Sequence, residues 1–133
     1  MPINVVHTKP EFTDERGYIT RLINDDTKQF KDVLYITSKA GTERGNHYHK
    51  ADYHYVYCVG GKFRYSEKDM SNPNSTVESV VLEPGDIVLS NKMIAHSMKF
   101  LEDTVFLAIT TEPREQNKYE EDTVRIKITP DEK

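Results

Sequence analysis

The chain has 133 residues, which suffices for one domain built around one modest core. It carries 22 acidic residues against 18 lysines and arginines, a net charge of −4, and so lacks the basic surplus with which nucleic-acid-binding proteins neutralise phosphates. No stretch approaches the roughly 18 consecutive apolar residues of a membrane span, and the N-terminal residues lack a signal-peptide pattern, so we expect a single cytoplasmic domain over residues 1–133.

Short strand-like runs, each ended by Gly, Pro, Asn or Asp, follow one another along the chain. In residues 124–128, Val-Arg-Ile-Lys-Ile, apolar and polar side chains alternate with the period of two that is typical of a β-strand. We predict strands at residues 18–23, 32–37, 53–59, 62–66, 77–82, 87–89, 95–100, 104–111 and 123–128. Many short strands with regular punctuation predict an all-β sandwich or barrel.

The connections between these runs carry turn residues. Gly60-Gly61 predicts a hairpin, and the Asn-, Ser- and Pro-rich residues 66–76 predict a long hairpin loop. The last segment, residues 114–133, is highly charged apart from the alternating run Val124, Ile126 and Ile128. We expect this run to return to a sheet edge or to pair with a second subunit.

Four of the five histidines fall at positions that predict one inward-facing cluster. His47 and His49 are two residues apart and therefore share a strand face. His54 has the same parity as Val56 and Cys58, and His96 has the parity of two apolar residues that follow it. The fifth, His7, stands alone near the N-terminus and is expected to be a surface residue.

Several imidazoles inside a small barrel make a poor apolar core, because each brings two polar nitrogens that need partners. A metal ion satisfies one nitrogen of each ring and leaves the other for a hydrogen bond. We therefore predict that His47, His49, His54 and His96 bind one divalent ion, and the imidazole donors suit Zn, Fe, Mn or Ni. Tyr53, with the opposite parity, is expected on the outer face.

The spacing of these histidines resembles the two motifs of the cupin superfamily across residues 41–100, the core motif region. The positions that match the motifs are Gly41, His47, His49, Gly61, Gly85 and His96, with His54 where the first motif has Glu. The resemblance implies a double-stranded β-helix, the cupin jelly-roll barrel. The substitution at His54 resembles the four-histidine cupins.

Two shorter segments resemble cupins that act on nucleotide-linked sugars. Residues 13–17, Thr-Asp-Glu-Arg-Gly, and residues 44–50, Arg-Gly-Asn-His-Tyr-His-Lys, resemble segments of the dTDP-sugar 3,5-epimerases and 3,4-ketoisomerases. Residues 45–49 also resemble the C-terminal cupin of capsule-sugar reductases, which holds zinc. The resemblance implies His47 as a base, Arg16 and Arg44 near the phosphates, and Tyr35 beside the sugar.

These features predict a metal-binding isomerase or epimerase that acts on a nucleotide-activated sugar in surface-polysaccharide biosynthesis. A diphosphate would need cationic partners, for which the candidates are Arg16, Arg44, Lys62 and Arg64. If His47 binds the metal, the candidate bases are Tyr35, Tyr53 and Asp52. A metal-dependent oxygenase and a non-catalytic metal- or ligand-binding module are the alternatives, and a homodimer is the expected assembly.

Overall fold

The computed structural model describes residues 3–112 and 122–130. The strands of this part of the chain are β1 (Val5–His7), β2 (Phe12–Asp14), β3 (Gly17–Ile19), β4 (Asp32–Ser38), β5 (Glu43–His49), β6 (His54–Gly60), β7 (Phe63–Asp69), β8 (Glu78–Leu82), β9 (Asp86–Ser90), β10 (Ile94–Phe100), β11 (Thr104–Thr110) and β12 (Thr123–Arg125). All neighbouring strands in these sheets are antiparallel.

Two five-stranded sheets face each other and form the barrel. One has the order β1-β9-β6-β11-β4 and the other β12-β5-β10-β7-β8, while β2 and β3 form a separate hairpin. The side chains buried between the sheets include Val56, Phe63, Leu82, Phe100 and Phe106. This arrangement confirms the predicted all-β jelly-roll fold.

Each predicted run contains a strand, although β3 ends at Ile19 and β12 at Arg125, so that residues 20–23 and 126–128 of the predicted runs are not in strands. The ranges of β1, β2 and β5 were not predicted. The predicted hairpin at Gly60-Gly61 is wrong, because β6 and β7 belong to different sheets and the chain crosses between them at this point. Gly61 has a φ of +88°, and a Cβ there would collide with the carbonyl oxygen of Asp103. Glycine is therefore needed for close packing at a crossover. The predicted hairpin loop at residues 66–76 is present, although β7 continues to Asp69.

A β-bulge in β5 sets the direction of the side chains that matter most for the site. His47 pairs with His96, but the next pair along β10 joins Ser97 to Gly45, so that Asn46 is the extra residue. Gly45 and Asn46 have φ values of +84° and +57°. A Cβ on Gly45 would lie 2.8 Å from the carbonyl oxygen of His96, so that this position also requires glycine.

The extra residue reverses the alternation of β5. Without it, Arg44 would face away from His47, since the two residues are three positions apart. With it, Arg44 pairs with Met98, a buried inward-facing residue, and lies on the same side of the sheet as the histidines.

Residues 122–130 lie along the edge of the second sheet and form hydrogen bonds with β5. β12 pairs with β5 at the sheet edge, which is one of the two outcomes expected for the alternating run. Asn46 accepts hydrogen bonds from the backbone of Ile126, Ile128 and Thr129. Residues 114–121 and 131–133 of the predicted charged segment lie outside the described residues.

No helix in the described part of the chain combines the length and apolar character needed to cross a bilayer.

Candidate functional site

Four imidazole rings meet inside the barrel. His47 and His49 come from β5, His54 from β6 and His96 from β10, and their exposed fractions are 8%, 2%, 7% and 1%. Ring centroids of neighbouring members lie 4.7–5.6 Å apart. The ring nitrogens of His47, His49 and His96 lie within 4.8 Å of one another. The alternation in the sequence therefore predicted correctly that these four side chains face the interior. They come from β5 and β10 of one sheet and from β6 of the other.

The donor set and its spacing fit a divalent metal ion. Imidazoles bound to one ion at about 2.0–2.1 Å have ring centroids roughly 5 Å apart, which is the separation found here. Burial is the largest cause that lowers the pKa of His96 well below its ordinary value, and the nearby charges of His54, His47 and His49 lower it further. His96 is therefore a neutral imidazole, which is the form that binds metals.

A carboxylate orients His54. Asp52 Oδ2 lies 3.2 Å from Nδ1 of His54, while Asp52 Oδ1 accepts hydrogen bonds from Thr111 and from the backbone of Glu112. Burial acts to raise the pKa of Asp52, but the hydrogen bond and charge of His54 together with the charge of His49 outweigh it and lower the pKa. Asp52 is therefore ionised, and its pairing with Nδ1 leaves Nε2 of His54 to face the cavity.

Residues from the C-terminal segment orient His49. Asp122 Oδ2 lies 3.5 Å and Thr123 Oγ1 3.3 Å from Nδ1 of His49. The Asp122 carboxylate also accepts hydrogen bonds from the backbone nitrogens of Ala51 and Asp52. Carboxylates and hydroxyls behind a metal-binding histidine fix the orientation of its ring. Asp122 was not predicted, since no local pattern in the sequence connects it to a residue 73 positions earlier.

The histidines line a cavity of about 460 Å³ that opens to solvent. Its apolar wall consists of Leu34, Ile36, Val56, Met98, Phe106 and Ala108. Its polar wall includes Asp52 and two arginines, Arg44 and Arg125. An apolar enclosure with a few convergent polar groups is typical of a small-molecule site.

The two arginines enter this cavity by different routes. Arg44 is held in place because its guanidinium donates hydrogen bonds to Ser38 Oγ at 2.7 Å and to the carbonyl oxygen of Thr37 at 3.0 Å. Arg125 pairs with His47 across β12 and β5, which places both on one face of the sheet. Arg125 was not predicted as a site residue. The alternation of its strand was the available signal, because it places Arg125 on the opposite face of the strand from its apolar neighbours Val124 and Ile126.

The other predicted site residues do not reach this cavity. Tyr35 lies on the outer face of β4 and is 69% exposed, because Leu34 and Ile36 take the inward positions. Two of the three candidate bases, Tyr35 and Tyr53, are absent from the lining of the cavity, whereas the third, Asp52, is part of it. The ring of Tyr53 lies beneath the ammonium group of Lys28, 5.1 Å from the centroid.

Three of the four predicted substrate-binding cations are also placed elsewhere. Arg16 lies at the β2–β3 turn, where it is 81% exposed and forms an ion pair with Asp14 at 2.6 Å. Lys62 follows the crossover from β6 and lies 3.9 Å from Glu102. Arg64 alternates with the buried Phe63 and Tyr65 and so points outward from the barrel. Of the four, the structure brings only Arg44 to the histidines.

Comparison with known proteins agrees with this architecture. Residues 12–124 match the family described as polysaccharide biosynthesis C-terminal domain. No curated protein sequence matches.

Solved structures of sugar-nucleotide enzymes have the same fold. A 3,4-ketoisomerase from Thermoanaerobacterium thermosaccharolyticum, a double mutant in complex with TDP, is 26% identical, with a TM-score of 0.72 over 94% of this chain and 89% of the other. A 3,4-ketoisomerase from Helicobacter canadensis is 21% identical, with a TM-score of 0.75 over 94% and 91% of the two chains. A 3,5-epimerase from Legionella pneumophila, in complex with dTDP-4-keto-L-rhamnose, is 20% identical, with a TM-score of 0.76 over 92% and 71%.

Proposed function

Since the chain belongs to the polysaccharide biosynthesis C-terminal domain family, we propose that it is an isomerase or epimerase that acts on a nucleotide-activated sugar at the histidine-lined cavity. The observation that carries this proposal is the presence of four imidazoles and two arginines in one cavity of about 460 Å³. The solved ketoisomerases and the epimerase of the same fold, several of which bind TDP or a TDP-sugar, support it.

The arginines fit the charged end of such a substrate. Arg44 and Arg125 both line the cavity, and guanidinium groups bind phosphate oxygens through paired hydrogen bonds. The contacts of Arg44 with Ser38 and Thr37 fix its position before a ligand arrives. We propose that these two side chains bind the diphosphate and leave the sugar to extend toward the histidines.

The histidines fit the reacting end. His47, His49 and His96, whose ring nitrogens lie within 4.8 Å of one another, would hold a divalent ion, with a coordination position left open as in catalytic metal sites. Such an ion would polarise the sugar carbonyl. A ring nitrogen that binds the ion has no lone pair left for a proton, so we propose that His54, rather than His47, is the base.

The Asp52–His54 pair suits proton transfer. Nε2 of His54 takes the proton from the carbon next to the carbonyl, and the electrons of that C–H bond form the double bond of an enolate. The ionised Asp52, 3.2 Å from Nδ1, stabilises the imidazolium that results. In an isomerisation the same ring then gives this proton to the former carbonyl carbon, while the hydroxyl proton on the carbon that lost its hydrogen moves to the enolate oxygen. An epimerisation needs in addition a proton donor on the opposite face of the enolate, because return of the proton to the same face would restore the substrate.

Hydrogen exchange at carbon tests this function whichever carbon of the sugar reacts. In deuterated water, the zinc-loaded protein is expected to introduce deuterium into TDP-4-keto-6-deoxyglucose, measured by mass spectrometry of the sugar. A His54→Gln variant should retain zinc and lose the exchange. Full zinc occupancy with no exchange on this substrate or on other keto-sugar nucleotides would contradict the catalytic proposal and favour a non-catalytic module.

Exposed apolar side chains support the expected homodimer. Phe12, Tyr18 and Ile19 of the β2–β3 hairpin, and Val33 and Tyr35 of β4, are 52–69% exposed. A two-stranded hairpin is marginally stable on its own, and exposed apolar clusters mark interaction surfaces. We propose that a second copy of the chain covers these side chains.

Light scattering after size exclusion is expected to give about twice the 15.4 kDa of one chain. A Tyr35→Glu variant should shift the mass toward the monomer, because the charge would be buried at the interface. The matched variant Val81→Glu, on the outer face of the opposite sheet, should leave the dimer intact. A monomeric wild-type protein at micromolar concentration would contradict the proposed dimer.

A further inference from the structure

A buried hydrogen-bond chain lies behind His96, on the side away from the cavity. Ser90 Oγ lies 3.0 Å from Nδ1 of His96 and links the two sheets, because Ser90 belongs to β9 and His96 to β10. The hydroxyl of Tyr65 donates to Glu67 Oε2 at 2.7 Å. Burial raises the pKa of Tyr65, and a hydrogen bond from Ser90 acts in the opposite direction. Ser90, Tyr65 and His96 are all 1% exposed or less.

The partners of this chain fix its direction. Nδ1 of His96 also lies 3.4 Å from the carbonyl oxygen of Ile94, which can only accept a hydrogen bond. Nδ1 therefore carries the hydrogen and donates to Ser90, Ser90 donates to Tyr65, and Tyr65 donates to Glu67. This chain of hydrogen bonds ends at the carboxylate of Glu67. Because the hydrogen of His96 is on Nδ1, the free lone pair of the ring is on Nε2, the nitrogen that faces the cavity.

The ring of Tyr65 restrains His96 in a second way. The two rings are nearly parallel, with an interplanar angle of 14° and centroids 6.3 Å apart. Because the hydroxyl of Tyr65 is fixed by Glu67 and Ser90, the plane of the tyrosine is fixed as well, and it limits rotation of the imidazole.

We infer that Ser90 and Tyr65 are positioning residues that hold His96 in the Nδ1–H tautomer with Nε2 directed at the metal site. Glu67 anchors this chain from outside the cluster. The inference rests on the proposed metal site, but the tautomer it assigns is a property of the metal-free protein.

Nitrogen-15 NMR of histidine-labelled, metal-free protein tests the tautomer directly. The wild type is expected to show His96, assigned from a His96→Gln variant, with Nδ1 protonated and Nε2 unprotonated. In Ser90→Ala only the longer contact of Nδ1 with the carbonyl oxygen of Ile94, at 3.4 Å, remains, so the population of the Nε2–H tautomer should rise. The matched control is Ser66→Ala, because Ser66 is equally buried and hydrogen-bonded to Ser79 but lies on the outer face of its sheet.

Zinc affinity, measured by competition with a chromophoric chelator, provides the second readout. Loss of an outer partner of a metal-binding histidine weakens metal binding by about 10–100-fold, which we expect for Ser90→Ala but not for Ser66→Ala. Tyr65→Phe, which keeps the ring, should change the tautomer and the zinc affinity in the same direction as Ser90→Ala does. It provides the test if Ser90→Ala fails to fold. An unchanged His96 tautomer in both Ser90→Ala and Tyr65→Phe would overturn the inference. Because the NMR measurement uses metal-free protein, a protein that binds no zinc would contradict the proposed metal site but should still show the change of tautomer.

Discussion

Replacement of His49 by alanine is expected to reduce zinc affinity by at least about 100-fold. The substitution removes one of the three proposed metal ligands, a larger loss than that of an outer hydrogen-bond partner, which alone costs about 10–100-fold. It also removes the ring that Asp122 and Thr123 hold in place. Zinc content after dialysis against a weak chelator, measured by elemental analysis, gives the occupancy of each variant.

His7→Ala is the matched control for this substitution. The side chain of His7 is 73% exposed and forms a hydrogen bond with Asp86 outside the cluster, so its removal should leave zinc binding unchanged. Full zinc occupancy in a variant that lacks both His49 and His96 would refute the assignment of the ligands.

Replacement of Arg44 by alanine is expected to weaken binding of dTDP by about 10–150-fold. This range corresponds to the roughly 1.5–3 kcal/mol contributed by hydrogen bonds to charged groups. Arg44 is pre-positioned by Ser38 and Thr37, so little ordering opposes its contact with a phosphate. Isothermal titration calorimetry with dTDP measures the change.

Arg64→Ala separates this role from a general effect of net charge. Both variants lose one positive charge, but Arg64 points outward from the barrel and should leave dTDP affinity unchanged. Equal losses in the two variants would contradict a specific contact at Arg44.

Much of the fold and the histidine cluster could be predicted because both depend on alternation. The inward parity of His54 follows from Val56 and Cys58, and that of His96 follows from the apolar residues of its own strand. The same rule applied to Leu34 and Ile36 would have placed Tyr35 on the outer face, where the structure has it. The implied role of Tyr35 came from resemblance alone.

The remaining errors arise where a single local conformation changes the direction of the chain. Arg44 reaches the cavity only because the bulge at Gly45-Asn46 reverses the alternation, and the sequence does not state which glycine forms a bulge. Gly60-Gly61 has the composition of a hairpin and instead forms a crossover between sheets. Asp122 reaches His49 through the pairing of β12 with β5, a long-range contact that no local pattern encodes.

X-ray absorption at the zinc edge of the reconstituted protein tests the central claim most directly, because it counts the imidazoles bound to the ion. With the assigned ligands, the spectrum should show the multiple scattering of three imidazoles, with nitrogens about 2.0–2.1 Å from zinc. A spectrum with one imidazole or none, and oxygen ligands in their place, would contradict a metal site built from the converging histidines.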